Sequence, residues 1–306
     1  MKNLFLSTII SLIFCFPSIG QDNSYKAKGQ KSGHVISVQS DFGFITFSKV
    51  DISDAYKYFK DYNYYFQITI NNYGKEFEPV IPSIDKIINL VEKLSSKIGP
   101  KRIVWRYDPI VLTKEFDLKF HIQNFEVLAS KLKNNINKCV FSFLDVYLQT
   151  EENLKKYGLI IIDELKMKEI AKKLSEVAQK YNIRLETCCE KIDLSEFSIS
   201  HGKCIDDKLI SDIIGIDLNI SKDKFQRKYC GCAESIDIGT YNTCSNVCLY
   251  CYANYNKGIL RNNLNNHNPK SPLLSGDIET DDKISERKMK SYLNLKQVEF
   301  KEQKCF

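Results

Sequence analysis

The segment Cys244-Ser-Asn-Val-Cys248-Leu-Tyr-Cys251 carries three thiols on one short loop, spaced C-x3-C-x2-C, with Tyr250 directly before the last. Three thiolates so close in sequence can hold three irons of a cubane cluster and leave the fourth iron open to a small chelating ligand. Cys244, Cys248 and Cys251 are therefore read as ligands of a 4Fe–4S cluster. Structural zinc is the alternative, although its ligands usually come as paired C-x2-C knuckles. Disulfides rank third, because sulfurs packed this densely in a long chain read as metal ligands rather than staples.

Eight of the eleven cysteines lie between residues 188 and 251, so they mark a region and not the whole fold. Cys188, Cys204, Cys230 and Cys232 have the residue types for a second metal site, or for a fourth ligand that closes the first. Cys139 and Cys189 are read as ordinary buried thiols, and His201 as a surface or satisfied core histidine.

Strands and helices alternate in the body of the chain. Tyr64–Ile70 is aromatic and β-branched, as strands are, and Ser83 caps a helix with Ile84, Ile87, Ile88, Val91 and Leu94 on one face. Arg102–Arg106, Cys139–Phe143 and Ile183–Thr187 are further strands, with helices from Asp117, Asp163 and Asp206 between and after them. This order predicts an α/β fold with a parallel sheet, drawn as a TIM-like (βα) barrel that is incomplete or permuted. A fifth strand over 235–239 would run straight into the cysteine loop, followed by a helix from about Ala253.

Chemistry in βα folds sits at the C-terminal ends of the strands. That rule selects Arg106, Asp108, Asp145 and Glu186 as catalytic candidates and Asn71, together with Tyr250, as cofactor-binding ones. Arginine and carboxylates on one rim can bind an amine, a carboxylate and a ribose through charge-assisted bonds; the plainer alternative is that Arg106 and Asp108 pair with each other. Gly-x-Gly-x-x-Gly and Gly-Lys-Ser/Thr are both missing, which argues against Rossmann and P-loop nucleotide sites.

The composition is that of a globular protein, 43% hydrophobic and 27% charged, and a net charge of +6 is too mild to indicate nucleic acid by itself. Residues 1–20 have a basic start, an apolar run from Leu4 to Phe16 and small residues at Ser18 and Gly20, the pattern of a secretory signal. The run is too short for a membrane span, so no stable membrane association is expected. Residues 21–50 read as a linker or atypical N-terminus, 51–275 as the barrel domain with its cysteine cluster at 230–251, and 276–306 as a charged tail. Free thiols and oxygen-sensitive clusters belong in the cytoplasm, which is the favoured location and conflicts with the signal-like segment.

From about Asp51 to Phe300 the chain resembles an uncharacterised bacterial family, domain of unknown function 1848. The match is carried by Tyr64-Tyr-Phe-Gln, Trp105-Arg-Tyr-Asp-Pro109, Ser142-Phe-Leu-Asp145, Glu186-Thr-Cys188 and His201-Gly-Lys-Cys-Ile-Asp206. Cys230-Gly-Cys232, Tyr241-Asn-Thr-Cys244, Cys248–Asn254, Ser271-Pro-Leu-Leu and Glu286–Ser291 extend it. The C-x3-C-x-aromatic-C spacing is also similar to that of radical S-adenosylmethionine (SAM) enzymes. That resemblance implies SAM on the open iron and a small electron donor, ferredoxin or flavodoxin, as partner. Their Gly-Gly-Glu cofactor motif is absent. Tyr250–Ala253 is similar to the spore photoproduct lyase branch, which implies nucleic-acid repair as a substrate class. The competing expectation is a non-catalytic binding module stabilised by zinc or a cluster.

Overall fold

The computed structural model describes residues 62–235, 240–267, 278–283 and 292, together with strand backbone at 10–17, 30–31, 34–35 and 44–46. The strands are β1 (Ile10–Pro17), β2 (Gln30–Lys31), β3 (His34–Val35), β4 (Phe44–Thr46), β5 (Tyr62–Thr69), β6 (Ile103–Ile110), β7 (Lys138–Phe143), β8 (Leu185–Cys188) and β9 (Ser200–Gly202). The helices are α1 (Ile84–Ile98), α2 (Leu118–Leu132), α3 (Leu148–Lys155), α4 (Glu164–Lys180), α5 (Asp207–Ile214) and α6 (Lys257–Asn265). The main sheet has the order β4-β1-β5-β6-β7-β8-β9, and β2 pairs with β3 apart from it. Strands β5 to β9 are parallel, whereas β1 runs antiparallel to both β4 and β5.

The expected parallel α/β architecture is present, but the sheet is open and no closed barrel forms among the described residues. Antiparallel β1 occupies the edge of β5 at which another βα unit would have continued the wall. β1 and β4 come from the segments read as the signal core and the linker. Most of residues 1–20, the 236–239 part of the expected fifth strand, and nearly all of the tail lie outside the described residues. Strand β9 and helix α3 were not expected, and the last helix begins at Lys257, not Ala253. No helix among the described residues is long and apolar enough to cross a membrane.

Local chemistry explains the helix boundaries. Asp117, Asp163 and Asp206 occupy N-caps, and their carboxylates accept hydrogen bonds from Phe120 N, Lys166 N, and both Lys208 N and Leu209 N, respectively. Ser83 occupies the first N-cap, though its hydroxyl makes no cap bond. Gly215, at φ 69°, ends α5 in the left-handed conformation that favours glycine.

The two faces of the parallel sheet differ in chemistry. One carries Phe66, Ile68, Trp105, Tyr107, Phe141, Phe143 and Leu185, and packs against the apolar stripes of α1, α2 and α4 in one continuous core. Trp105 stacks on Phe125 of α2 with ring centroids 4.8 Å apart. The parallel strands neighbour one another in sequence order, and these three helices lie on one side of them. The other face presents Tyr65, Gln67, Arg106, Lys138, Glu186 and Cys188, the alternate residues of the same strands.

This second face is covered by the chain after β9. Tyr65 Oη and Gln67 Nε2 donate to the Cys204 carbonyl at 2.5 and 2.7 Å, and Asp206 N donates to Tyr65 Oη at 3.0 Å. Lys138, 1% exposed, reaches Glu186 and Asp206 at 2.6 Å each, and Arg184 lies 3.1 Å from Glu186. Burial pushes the Asp206 carboxyl up, but Lys138 and the two N-cap donors outweigh it and hold it below its ordinary value. Gly202 is required beside this network: a β-carbon there would lie 2.7 Å from Glu186 Oε2 and 2.8 Å from the Thr187 carbonyl.

Lys138→Met leaves Glu186 and Asp206 buried without their shared cation. We expect a loss of about 3–5 kcal/mol in folding stability, read from urea denaturation at neutral pH. A loss under 1 kcal/mol would show that the network does not hold this face.

Candidate functional site

The three-cysteine loop lies at the C-terminal rim of the sheet, held there by the residue between its last two cysteines. Tyr250 Oη donates to Glu78 Oε1 at 2.5 Å and accepts from Asn71 Nδ2 at 3.2 Å. Its ring packs edge-on to Tyr73, in a cluster that includes Phe77, Val111, Phe116 and Cys248. Leu249 N donates to the Phe77 carbonyl at 3.0 Å, and Asn153 of α3 donates to the Leu249 carbonyl at 3.2 Å. Glu78 also accepts from Tyr73 N at 3.1 Å, and burial pushes its carboxyl above the ordinary value.

Tyr250 and Asn71, expected to face a cofactor, spend these polar atoms on the protein. Asn71 clamps the backbone of Asp108, donating to its carbonyl at 2.9 Å and accepting from its N–H at 2.8 Å. The clamp fixes the end of β6 relative to β5 and, through Tyr250, to the cysteine loop. Glu78, the buried anchor, gave no signal in sequence because it stands in an irregular loop.

Cys248 is buried and Cys244 and Cys251 are half-buried. Burial raises all three thiols; Cys248 is raised further by Glu78, Cys251 and Cys244, and Cys244 by Cys251. Crowded, desolvated thiols of this kind gain from a cation that neutralises them. Two further features mark the loop: Val247 adopts φ 48°, a costly conformation for a β-branched residue, and the buried Oδ1 atoms of Asn246 and Asn254 have no hydrogen-bond partner. Among the described residues, no group of three or more His, Cys, Asp or Glu side chains is already spaced to hold a metal ion.

Arg106 and Asp108 pair with each other, as the plainer alternative for them held, with Arg106 Nε 2.9 Å from Asp108 Oδ2. Arg106 also donates to Gln67 Oε1 at 2.9 Å and to Cys204 Sγ at 2.7 Å, while Ser142 Oγ donates to Asp108 Oδ1. The two residues thus stand together at the rim. Asp145 lies apart on the surface in an ion pair with Arg227, and Glu186 sits deeper, in the Lys138 network. Cys188, Cys204, Cys230 and Cys232 do converge, with Cys188 Sγ 3.2 Å from Cys204 Sγ. Cys139 is buried in the core as expected, but Cys189 is half-buried at φ 56°. His201 is exposed.

One rim residue was missed. Glu190 accepts from Phe143 N at 2.8 Å, at the end of β7. Burial, reinforced by Asp145 and Asp108, pushes its carboxyl up to about 7. Only its position just after Cys188-Cys189 could have pointed to it.

Residues 23–253 match the family described as Domain of unknown function (DUF1848). The chain belongs to this family. The family match starts before Asp51, where the sequence resemblance was drawn, and stops at the cysteine loop, short of the tail motifs. The members' shared segment thus includes the rim, the anchored loop and the covered polar face. No curated protein matches the chain.

The pH dependence of stability tests the Glu190 environment. A carboxyl whose folded value is raised favours folding most below its unfolded value, near 4.5, and loses that contribution as pH rises through about 7. His121, buried between Tyr107 and Val111 and lowered to about 4 by burial, acts in the opposite sense, losing stability as pH falls. We therefore expect Glu190→Gln to be stabilised relative to wild type at pH 8 but not at pH 5, in denaturant titrations at both. A pH-independent difference would contradict the assignment.

Proposed function

We propose that this chain is an iron–sulfur enzyme of radical SAM type, with Cys244, Cys248 and Cys251 as ligands of a 4Fe–4S cluster. The observation that carries the reading is the docking of the three-cysteine loop, through Tyr250, Glu78 and Asn71, on the rim where the strands deliver Arg106 and Asp108. The donor chemistry fits: three thiols raised by burial, within a strained loop that also holds an unpartnered buried carbonyl on Asn246. When bound, such a cluster supplies a single electron that cleaves SAM reductively and starts radical chemistry.

The chain's own residues would do the rest. Phe77, Phe116 and Tyr250 exclude water from beneath Cys248. Arg106 is kept charged against its burial, chiefly by Asp108, and fixes that carboxylate in place at the rim. Glu190, poised near neutrality, can hold or release a proton at its carboxyl. A small ferredoxin- or flavodoxin-like donor would supply the electron, and nucleic acid is retained as a substrate class on the Tyr250–Ala253 resemblance alone.

Anaerobically purified protein should contain about four irons and four sulfides per chain. Cys244→Ala, Cys248→Ala and Cys251→Ala should each lose them, while Cys189→Ala should not. Added SAM should shift the electron paramagnetic resonance spectrum of the reduced wild-type cluster. Full iron and sulfide in Cys248→Ala would end the ligand assignment; an intact cluster indifferent to SAM would end the enzyme assignment.

A further inference from the structure

Four cysteines gather on the polar face of the sheet, outside the three-cysteine loop. Cys188 and Cys204 are 3.2 Å apart at Sγ, and Cys232 neighbours both Cys204 and Cys230. Separate segments supply them: Cys188 ends β8, Cys204 follows β9, and Cys230-Gly-Cys232 is a turn that comes after α5. N–H groups are directed at two of the sulfurs. Cys204 N and Ile205 N donate to Cys232 Sγ at 3.2 and 3.4 Å, and Arg106 Nη1 donates to Cys204 Sγ at 2.7 Å. A neutral thiol is a weak acceptor. Three N–H donors on two adjoining sulfurs suit thiolates, whose charge they offset, as hydrogen bonds do around metal-bound sulfur.

We propose that Cys188, Cys204, Cys230 and Cys232 form a second metal site, which takes one soft divalent cation, zinc or ferrous iron, independently of the three-cysteine loop. Four thiolates make a closed tetrahedral set with no position for water or substrate, so the site is structural. With a metal–sulfur distance of about 2.3 Å, the edges of such a tetrahedron are about 3.8 Å. The Cys188–Cys204 pair therefore needs only a small opening, while Cys230 and Cys232 turn their thiols toward it. Binding releases the thiol protons and leaves two negative charges in excess, beside Arg106 and the two backbone donors. The ion would fasten the Cys230–Cys232 turn and the chain after β9 to the sheet.

The test uses the full chain with Cys244, Cys248 and Cys251 all replaced by Ser, reduced, freed of metal and titrated anaerobically with Co2+ alone. We expect about one cobalt per chain, with the intense sulfur-to-cobalt absorption of tetrahedral thiolate coordination. Adding Cys230→Ser, in a loop outside the strands, should weaken cobalt binding at least about tenfold. Cys204→Ser should abolish the thiolate absorption in protein whose circular dichroism is unchanged; should that variant misfold, Cys230→Ser alone decides. No cobalt bound by the triple-serine chain, or binding indifferent to Cys230→Ser, overturns the proposal. Acid-labile sulfide in the parent chain, which a single-ion site does not hold, reports on the other loop separately, so either assignment can fail without the other.

Discussion

Charged side chains on one face of a sheet must each find a partner once that face is taken out of water, because an unpaired buried charge costs several kcal/mol. Here the face formed by Gln67, Arg106, Lys138 and Glu186 meets that requirement through one short segment, Cys204–Asp206. Its carbonyl at Cys204 satisfies Tyr65 and Gln67, its Cys204 sulfur meets Arg106 and Cys188, and its Asp206 carboxylate meets Lys138. The segment touches β5, β6, β7 and β8 in turn, although it follows β9. An open sheet with a polar face is thereby made compatible with burial.

This arrangement also places the two sets of cysteines. The helices cover the apolar face, so chain that follows β9 packs against the polar face or the rim. The Cys230–Cys232 turn does the first: Asp223 N donates to the Cys232 carbonyl, and Ala233 N to that of Ile205. The three-cysteine loop does the second, and its anchor is aromatic for a physical reason. Tyr250 fills an apolar hole among Tyr73, Phe77 and Phe116 and still delivers a hydroxyl to a buried carboxylate, which neither Phe nor Ser could do.

What was legible in the sequence follows the range of the interactions involved. Helix starts at Asp117, Asp163 and Asp206 were readable because an N-cap is a contact over two or three residues, and the apolar stripe of α4 because it repeats at helical spacing. The core strands were readable for the same reason. The opening of the sheet was not, since it depends on the pairing of β1 with β5, some fifty residues away. Lys138 stands just before the strand as read from sequence, and its two buried carboxylate partners lie 48 and 68 residues further along. Among the candidate residues, the strand-end rule picked out Arg106 and Asp108, which stand together at the rim. Asp145 and Glu186 satisfied the same rule, yet one points to the surface and the other into the Lys138 network.

The separation of roles around Arg106 is the last consequence of this geometry. Its Nε and Nη2 face Asp108, while Nη1 is shared by Gln67 and the Cys204 sulfur. One planar cation thus joins the rim, where Asp108 is clamped by Asn71 and through it to Tyr250, to the group of four cysteines through Cys204. A lysine could not bridge them, because a single ammonium cannot present a rigid fork in both directions. Whatever alters the charge on the Cys204 sulfur therefore acts directly on the group that holds Asp108. The two cysteine sets are mechanically joined through a single guanidinium and the Asn71 clamp.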